Sequence, residues 1–423
     1  MLFRSASYRF YRLYDKVYRR DILEFAYRRC RSNDGAPGVD GQTFEDIETY
    51  GRDRWLDELT TNLRDRTYRS SPVRRVYIPK PDGKPRPLGI GTIRDRVVQM
   101  AVVLVLEPIF EADLQPEQHA YRPDHSALDA VRQVHGHVSM GHTEVVDADL
   151  SGYFDSIPHA ELMKSLSRRI SDRHLLGLIK MWLVTAVEET DERGRKRRTT
   201  RNKDEGRGSP QGSPLSPLLA NIYMRRFIVG WKTLGYEQRL DAHIVNYADD
   251  FVICCRGTAE QAMSAMRGMM SKLRLTVNET KTRLCRVPGE TFDFLGYTIG
   301  LCRSAKTGKS YIGTKPSAKK IARMKREISD QTDRRWLWTE VGDRVARLNR
   351  ILLGWSNYFC LGPVSSVYRA VDLHARHRLR QWLQGKHKRR SQGTSQFPDQ
   401  YLHEVLGLVR LSDRPKSFPW AKA

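Results

Sequence analysis

The sequence predicts an α+β fold, in which helices and an antiparallel sheet are followed by an all-α region. Apolar runs at residues 243–246 and 251–254 flank the tetrapeptide Tyr247-Ala248-Asp249-Asp250, and their Val and Ile residues favour two strands joined by a tight turn. Residues 144–150 predict another strand, which ends at Ser151-Gly152. Beyond Lys315 the strand pattern gives way to helical periodicity.

The other elements of the α+β region follow from local patterns. Residues 1–31 are basic and helical by pattern; their aromatic residues either stack on RNA or pack inward. Residues 33–41 are a Gly-rich loop, and residues 74–90 predict a hairpin that turns at Pro81-Asp82-Gly83. Residues 191–207, dense in charge, predict an exposed hairpin or loop that is either solvated or in contact with nucleic acid. Helices are expected over residues 93–110, 124–140 and 158–187.

The C-terminal region predicts a small helical domain with one apolar side and one cationic side. Leu348, Ile351, Leu352, Trp355 and Phe359 recur on one helix face, and a similar pattern follows at residues 379–383. Residues 315–390 contain 19 basic and 6 acidic residues, a net charge of +13. The predicted cationic faces, which are either solvated or in contact with phosphate, carry Arg344, Arg347, Arg350, Arg376, Arg380, Lys386, Lys388, Arg389 and Arg390. Residues 391–400 are polar and predict a linker.

The charge of the whole chain indicates a polyanionic partner. The 423 residues carry a net charge of +24, which favours nucleic acid over a membrane surface. The chain contains no apolar stretch of the roughly 18 residues that a membrane span needs, and its first residues show no secretory core. Six cysteines occur without a Cys-x-x-Cys pair, so we expect free thiols in a reducing cytosol and neither a structural zinc site nor a Cys-bearing nuclease module.

The acidic residues at the predicted strand ends indicate a divalent metal site. Asp249 and Asp250 lie in a turn, where a solvated loop is the ordinary alternative, but Asp149 ends a second strand. Three such carboxylates suit two Mg²⁺ ions, which promote phosphoryl transfer when they lie about 3.5–4 Å apart. We expect Asp147 to point away from this group and Asp155 to cap or pair locally.

Several sequence blocks, in order, resemble a known family. The longest is Ser209-Pro210-Gln211-Gly212-Ser213-Pro214-Leu215-Ser216-Pro217-Leu218-Leu219-Ala220-Asn221, and the others lie at residues 33–41, 77–90, 120–123, 247–250, 275–282, 294–297 and 348–359. Together they cover nearly the whole chain and resemble the group II intron-encoded reverse transcriptases, of the bacterial type that lacks an HNH endonuclease domain.

The resemblance implies a right-hand polymerase with fingers and palm, followed by an all-α thumb or maturase domain. It divides the chain into an N-terminal extension with the start of the fingers (1–72), the fingers and palm (73–312), the thumb (313–390) and a C-terminal tail (391–423).

The resemblance also implies roles for individual residues. Asp149, Asp249 and Asp250 are the expected catalytic residues, and the expected metal site consists of these three with Leu150. The expected nucleotide-binding residues are Lys80, Arg86, Phe154, Gln211, Gly212 and Lys281, of which Phe154 excludes a 2′-hydroxyl, while Tyr247 supports the primer end. Nucleic acid is expected to contact the cationic thumb residues Arg347, Arg350, Arg376, Arg380, Lys386, Lys388, Arg389 and Arg390.

The implied function is RNA-directed DNA synthesis with two Mg²⁺ ions, combined with intron RNA binding that assists splicing and mobility. The implied partners are an RNA template, its own intron RNA foremost, a DNA primer or target, and dNTPs in the bacterial cytosol. Two alternatives stay open: a related enzyme recruited to DNA repair or host defence, and an RNA-binding maturase whose polymerase activity is dispensable.

Overall fold

The computed structural model describes residues 8–79, 85–191, 193–304, 307–388 and 395–414, which form an α+β fold. The helices are α1 (Tyr14–Val17), α2 (Arg20–Ser32), α3 (Phe44–Tyr50), α4 (Arg52–Arg64), α5 (Ile93–Glu111), α6 (Ala127–Ser139), α7 (Tyr153–Ser156), α8 (His159–Ser167), α9 (Arg173–Leu183), α10 (Arg201–Glu205), α11 (Ser216–Thr233), α12 (Tyr236–Arg239), α13 (Ala259–Lys272), α14 (Ala318–Gln331), α15 (Val341–Tyr358) and α16 (Ser365–Lys386). The strands are β1 (Val73–Pro79), β2 (Pro85–Ile90), β3 (Glu144–Asp149), β4 (Val187–Thr190), β5 (Lys196–Thr199), β6 (Ala242–Tyr247), β7 (Asp250–Cys255), β8 (Arg283–Arg286), β9 (Phe292–Phe294), β10 (Tyr297–Arg303) and β11 (Ser310–Pro316).

The sheet that carries the acidic residues is antiparallel, with the strand order β6-β7-β3-β8. Tyr247 pairs with Asp250, so the chain reverses over Ala248 and Asp249. On the other side of β7, β3 places Asp149 opposite Asp250. Both faces of this sheet are buried, because Val146 and Ile253 belong to one core and Val145 and Val252 belong to another. The predicted strands and turn are confirmed.

A second sheet, with the order β2-β1-β4-β5, lies beside the first. β1 and β2 form the hairpin predicted at residues 74–90; its predicted turn at residues 81–83 lies outside the described residues. β4 runs parallel to β1 and antiparallel to β5. Of the two alternatives for residues 191–207, a hairpin or a loop, the hairpin is the one observed, but it begins at Val187 and is followed by the short helix α10. The Gly89 amide of β2 donates to the Gln211 carbonyl at 2.6 Å, which ties this sheet to the loop before α11.

The largest core packs α2, α5, α8, α9, α11 and α13 against the acidic sheet. The helix predicted over residues 93–110 is α5, and its buried residues include Val97, Val98, Val102 and Leu106. The helical region expected over residues 158–187 consists of two helices, α8 and α9. Asp172 begins the second of these helices, because its Oδ1 accepts hydrogen bonds from the amides of His174 and Leu175 at 3.0 and 3.2 Å and so caps α9.

The aromatic residues of the N-terminal segment divide between the two alternatives. Tyr14 and Tyr27 are buried, and the Tyr14 hydroxyl donates to the Leu63 carbonyl at 2.7 Å. Tyr11 is 66% exposed. Inward packing therefore explains Tyr14 and Tyr27 but not Tyr11.

A second core joins the third sheet, β11-β10-β9, to α6 and to the end of α15. Tyr297 and Phe359 are buried together, and the Tyr297 hydroxyl donates to the Tyr358 carbonyl. The Tyr358 hydroxyl in turn donates to the Leu295 carbonyl at 2.8 Å. These bonds attach the helical region to the sheets.

The third core is formed by α14, α15 and α16, as the predicted apolar faces require. Phe397, Leu402, Leu408 and Leu411 belong to the same core, and residues 401–405 form a π-helical turn. The interpretation of residues 391–400 as a linker is therefore wrong for residues 395–400. The predicted boundaries also move, because residue 313 falls inside β11 and the helical unit extends beyond residue 390.

None of the described helices combines the length and the apolar character that a membrane span requires.

Candidate active site

The acidic cluster lies where β3 and the β6–β7 hairpin end at the same edge of one sheet. The turn needs a left-handed residue, and Ala248 takes it with φ +58°. The buried Asn246 side chain supports this strained turn, because its Nδ2 donates to the Ala248 carbonyl at 2.9 Å. Asp249 therefore sits at a braced tip, and Asp149 and Asp250 sit on paired strands beside it.

Asp149 is held from the segment that follows α13. Its Oδ2 accepts hydrogen bonds from Asn278 Nδ2 at 2.9 Å and from Lys281 Nζ at 3.0 Å. The Asp149 carbonyl also accepts the Asn278 amide at 2.8 Å. These contacts fix the carboxylate and supply one compensating positive charge.

Asp249 and Asp250 have raised pKa values. Burial raises the pKa of Asp249 and the Asp149 charge adds to it, whereas Lys281 and Arg86 oppose the shift. Burial of its carboxyl group and the negative charges of Asp249 and Asp149 raise the pKa of Asp250 to about 7. The residue as a whole is exposed, but the pKa responds to the protein that surrounds the carboxyl group. Such mutual repulsion is what a bound cation relieves.

The donor set fits divalent cations, because Mg²⁺ prefers carboxylate oxygens. Asp149 pairs with Asp250 across the two strands, and the charges of Asp149 and Asp249 both act on the Asp250 carboxyl group. The three carboxylates are therefore close enough to influence one another's pKa values.

Asp147 does not point away from Asp149, contrary to expectation. Residues two apart on a strand share a face, so the expectation misread the strand period. What separates Asp147 from the cluster is Arg283 on β8, whose Nε lies 3.3 Å from Asp147 Oδ2. Asp147 is thus partly neutralised by an ion pair at the edge of the site.

A cavity of about 790 Å³ opens beside the acidic residues and is lined by most of the predicted nucleotide-binding residues. Its lining includes Arg86, Asp149, Leu150, Phe154, Gln211, Gly212, Asp249 and Lys281. Lys80 lies outside the described residues. The structure thus brings together side chains from the second sheet, the acidic sheet and the loop before α11.

Leu150 lines the cavity, but its side chain is apolar and buried in the largest core. Its main-chain carbonyl is therefore the group that it offers to a metal ion, and main-chain carbonyls are ordinary ligands of hard cations. The place of Leu150 in the predicted metal site stays a prediction.

Phe154 both lines the cavity and packs against the largest core. Its ring lies 6.4 Å from that of Tyr121 in an edge-on arrangement. Tyr121 is 51% exposed and also lines the cavity, so an aromatic pair borders this wall. Sequence reasoning used the block containing Tyr121 for recognition but assigned it no role.

Gln211 and Asp155 both line the cavity and contact each other there. Gln211 Nε2 lies 3.5 Å from Asp155 Oδ2, so the expected local pairing of Asp155 is replaced by a contact between distant segments. Burial raises the pKa of Asp155.

A glycine is required at position 212 because the backbone of Gly89 lies close to it. The φ of Gly212 is +112°, and a Cβ would lie 2.6 Å from the Gly89 carbonyl oxygen. Gly212 also lines the cavity, and its role in nucleotide binding stays a prediction.

The predicted thumb cations separate into two groups. Arg347, Arg350 and Lys388 are exposed. Arg376 and Arg380 bind Asp399, and Arg380 Nε also donates to the Phe397 carbonyl at 2.7 Å.

Lys386 and Arg344 are likewise engaged within the protein. Lys386 Nζ donates to the Leu337 and Thr339 carbonyls at 3.2 and 2.8 Å, and Arg344 is buried and lies over the Trp336 ring. We therefore correct the interpretation of Arg344, Arg376, Arg380 and Lys386 as freely presented cations. Arg389 and Arg390 lie outside the described residues.

A cationic face that sequence reasoning missed lies on α14. Lys319, Lys320, Arg323 and Arg326 are exposed there, while Met324 and Ile328 are buried on the opposite face. The sequence contains a signal for this face, because residues three or four positions apart lie on the same side of a helix, as Lys319, Arg323 and Arg326 do.

Two family models match the chain. Residues 78–299 match "Reverse transcriptase (RNA-dependent DNA polymerase)", and residues 321–399 match "Group II intron, maturase-specific domain". The chain is 34% identical to Protein YkfC of Escherichia coli over 354 residues, which are 74% of this chain and 89% of that protein. It is 28% identical to the group II intron-encoded protein LtrA of Lactococcus lactis over 366 residues, 71% of this chain and 58% of LtrA.

A more distant similarity is to an uncharacterized 91 kDa protein in the cob intron of Schizosaccharomyces pombe, at 26% identity over 82% of this chain and 50% of that protein. The chain thus spans only about half of the length of this relative and 58% of LtrA.

Proposed function

Because this chain belongs to the reverse transcriptases and carries a group II intron maturase domain, we propose that it extends a primer on an RNA template with dNTPs and two Mg²⁺ ions. The chain is an RNA-directed DNA polymerase by family. The observation that carries the proposal is the meeting of Asp149 with Asp249 and Asp250 beside a cavity of about 790 Å³ that also contains Arg86 and Lys281.

In this proposal the three carboxylates hold the metal ions. When bound there, Mg²⁺ would activate the primer 3′-hydroxyl and compensate for the negative charge of the phosphates. The 3′-oxygen forms a bond to the α-phosphorus of the nucleotide, and pyrophosphate leaves. Asp149 is already oriented for ligation by Asn278 and Lys281, so little side-chain ordering remains.

The cations of the cavity would bind the triphosphate. Arg86 comes from β2 and Lys281 from the segment after α13, so they approach the acidic edge from different elements. Positive groups fixed in a partly enclosed site stabilise phosphate charge better than water does, because they need no reorganisation.

Phe154 and Gln211 would border the sugar and the base. An aromatic wall at Phe154 leaves less room on one side of the cavity, which favours a deoxyribose over a ribose. Gln211 is held by Asp155 on the facing wall.

The helical unit would bind RNA, with the intron that encodes the protein as its foremost partner. Exposed cations occur on α14 (Lys319, Arg323 and Arg326) and on α15 (Arg347 and Arg350). We assign the fingers and palm to the sheets up to Pro316 and the thumb to the unit built on the third core. The proposed setting is the bacterial cytosol, where the intron RNA, a DNA target and dNTPs are available together.

The deciding experiment is primer extension by purified protein on RNA and DNA templates. Asp249→Asn should lower the extension rate at least about 100-fold, because it removes a ligand charge at the reacting atoms. RNA binding should be unchanged in a filter-binding assay. Asp293→Asn on β9, an exposed acid outside the cavity lining, is the matched control and should extend normally. Full extension by the Asp249 variant would refute the metal assignment.

A further inference from the structure

Three histidines from two distant segments converge at the other end of the acidic sheet. His137 lies in the last turn of α6, His142 follows it before β3, and His243 lies near the start of β6. Their ligand nitrogens all lie within 4.8 Å of one another. We propose that this cluster, with Asp241, binds one transition-metal ion, Zn²⁺ foremost, as a structural site separate from the catalytic one.

The spacing around Asp241 matches a tetrahedral ion. Asp241 Oδ1 lies 3.0 Å from His142 Nε2 and 3.4 Å from His243 Nε2. Ligands at Zn–N and Zn–O distances of about 2.0–2.1 Å in a tetrahedron are about 3.3 Å apart. These two separations are therefore already close to those that a shared ion would impose.

His137 provides the remaining ligand. Its ring stacks on that of His243, with centroids 4.8 Å apart and planes 6° apart, and the His142 ring stands edge-on to both. His137 Nδ1 is buried and has no hydrogen-bond partner among the described residues. That nitrogen is therefore available to a metal ion.

The Nδ1 atoms of His142 and His243 each face a protein oxygen. His142 Nδ1 lies 3.2 Å from the His137 carbonyl, and His243 Nδ1 lies 3.6 Å from Glu237 Oε1. A carbonyl or carboxylate behind a ligating histidine fixes its tautomer and directs the opposite nitrogen to the ion. For both rings this opposite nitrogen is the Nε2 that faces Asp241.

An ordinary ion pair accounts for only part of the cluster. A hydrogen bond between His142 and Asp241, with Arg256 Nε 3.6 Å from the other carboxylate oxygen, explains those contacts. It does not explain why the rings of His137 and His243 also gather around the same pair.

The site would fasten the end of α6 to the start of β6. Four protein ligands close the coordination sphere of Zn²⁺, which is the character of a structural site rather than a catalytic one. The expectation that the chain has no structural zinc site considered only cysteine ligands, and this proposal departs from it. His243 lies four residues before Tyr247 on β6, about 13 Å from the acidic end at 3.3 Å per residue. A metal here would stabilise the sheet that carries the active site without contacting the substrate.

The test uses the full chain, stripped with a chelator and returned to buffer with excess Mg²⁺, which occupies the carboxylate site. Titration with Co²⁺ should produce the intense visible absorption of tetrahedral coordination at one equivalent, and Zn²⁺ should displace it. His243→Asn and, separately, His137→Asn should weaken metal affinity by more than about 100-fold. Glu237→Gln, which removes only the supporting carboxylate, should weaken it about 10- to 100-fold. His377→Asn, an exposed histidine on α16, should have no effect.

Circular dichroism shows that each variant is folded before its affinity is compared. Absence of the cobalt spectrum from the wild-type chain would overturn the proposal, as would equal affinity in the wild type and a folded His137→Asn chain. Metal uptake is measured without nucleotide or nucleic acid, so the result is independent of polymerase activity.

Discussion

At the scale of single residues, Asp149 and Phe154 show how the site is prepared by its neighbours. Asp149 is positioned by Asn278 and Lys281, and Asn278 lies 129 residues further along the chain. Phe154 is supported by Tyr121 and by the largest core. Neither side chain depends on its own strand or helix alone for its orientation.

Replacement of Phe154 by Val should admit ribonucleotides. The smaller side chain leaves space beside the sugar, and pocket contacts of this size change discrimination by about 10- to 200-fold. The measurement is the ratio of kcat/KM for a dNTP and the matching rNTP in primer extension. Because Phe154 is half-buried, thermal unfolding should also reveal a loss of about 1–3 kcal/mol.

Phe25→Val, which removes a 42% exposed aromatic ring from α2, is the matched control and should preserve discrimination. If the Phe154 variant lost stability but kept the wild-type preference for dNTPs, Phe154 would be a packing residue only.

At the scale of elements, α14 separates its functions by face. Met324 and Ile328 anchor it in the third core, whereas Lys319, Arg323 and Arg326 face solvent. Cations held in a row on a fixed helix suit the regular phosphates of an RNA strand, and their binding releases counterions.

Arg323→Ala/Arg326→Ala should weaken RNA binding and reduce its salt dependence. Each lost phosphate contact lowers the slope of log K against log salt by about 0.7–0.9, so the pair should lower it by roughly 1.4–1.8. Filter binding over about 50–200 mM salt measures this slope.

The control for α14 removes equal charge elsewhere. Arg168→Ala/Lys180→Ala changes two exposed cations, one just after α8 and one on α9, and should leave the slope unchanged. Equal losses in both double variants would mean that RNA senses only the net charge of the protein.

At the scale of the whole molecule, the described residues form three hydrophobic cores, and the third core includes the segment after α16. Arg380 is 9% exposed and fastens that segment through Asp399 and the Phe397 carbonyl. The net charge of +24 is thus not all available to nucleic acid, because some cations complete the fold.

Arg380→Met should loosen residues 397–411 without abolishing the fold. Loss of a hydrogen-bonded charge costs about 1–3 kcal/mol, which corresponds to at least about fivefold faster local opening. Hydrogen exchange of the amides in residues 397–411 measures the change. Arg347→Met, on the exposed side of α15, should leave exchange unaltered; equal protection in both variants would contradict the structural role of Arg380.

Local patterns predicted the elements well but the partners of side chains poorly. Apolar runs of Val and Ile residues correctly indicated the strands that carry Asp149 and Asp250, and the spacing of Leu348, Leu352 and Trp355 correctly indicated a buried helix face. The expectation for Asp147 was wrong because it misread the strand period. Local patterns did not show where the helical region of residues 158–187 divides, because Asp172, which caps α9, also accepts the amides of Leu13 and Tyr14, far away in sequence.

The sequence by itself determined the strand ends that carry Asp149, Asp249 and Asp250, the helical unit and the excess of positive charge, because periodicity, turn residues and composition are properties of neighbouring residues. Only the tertiary structure decided that Arg380 is bound internally while Arg350 is exposed, and that His137 and His243 stack across the sheet. Such pairs join segments that are distant along the chain, so they depend on how the cores pack and not on any local pattern.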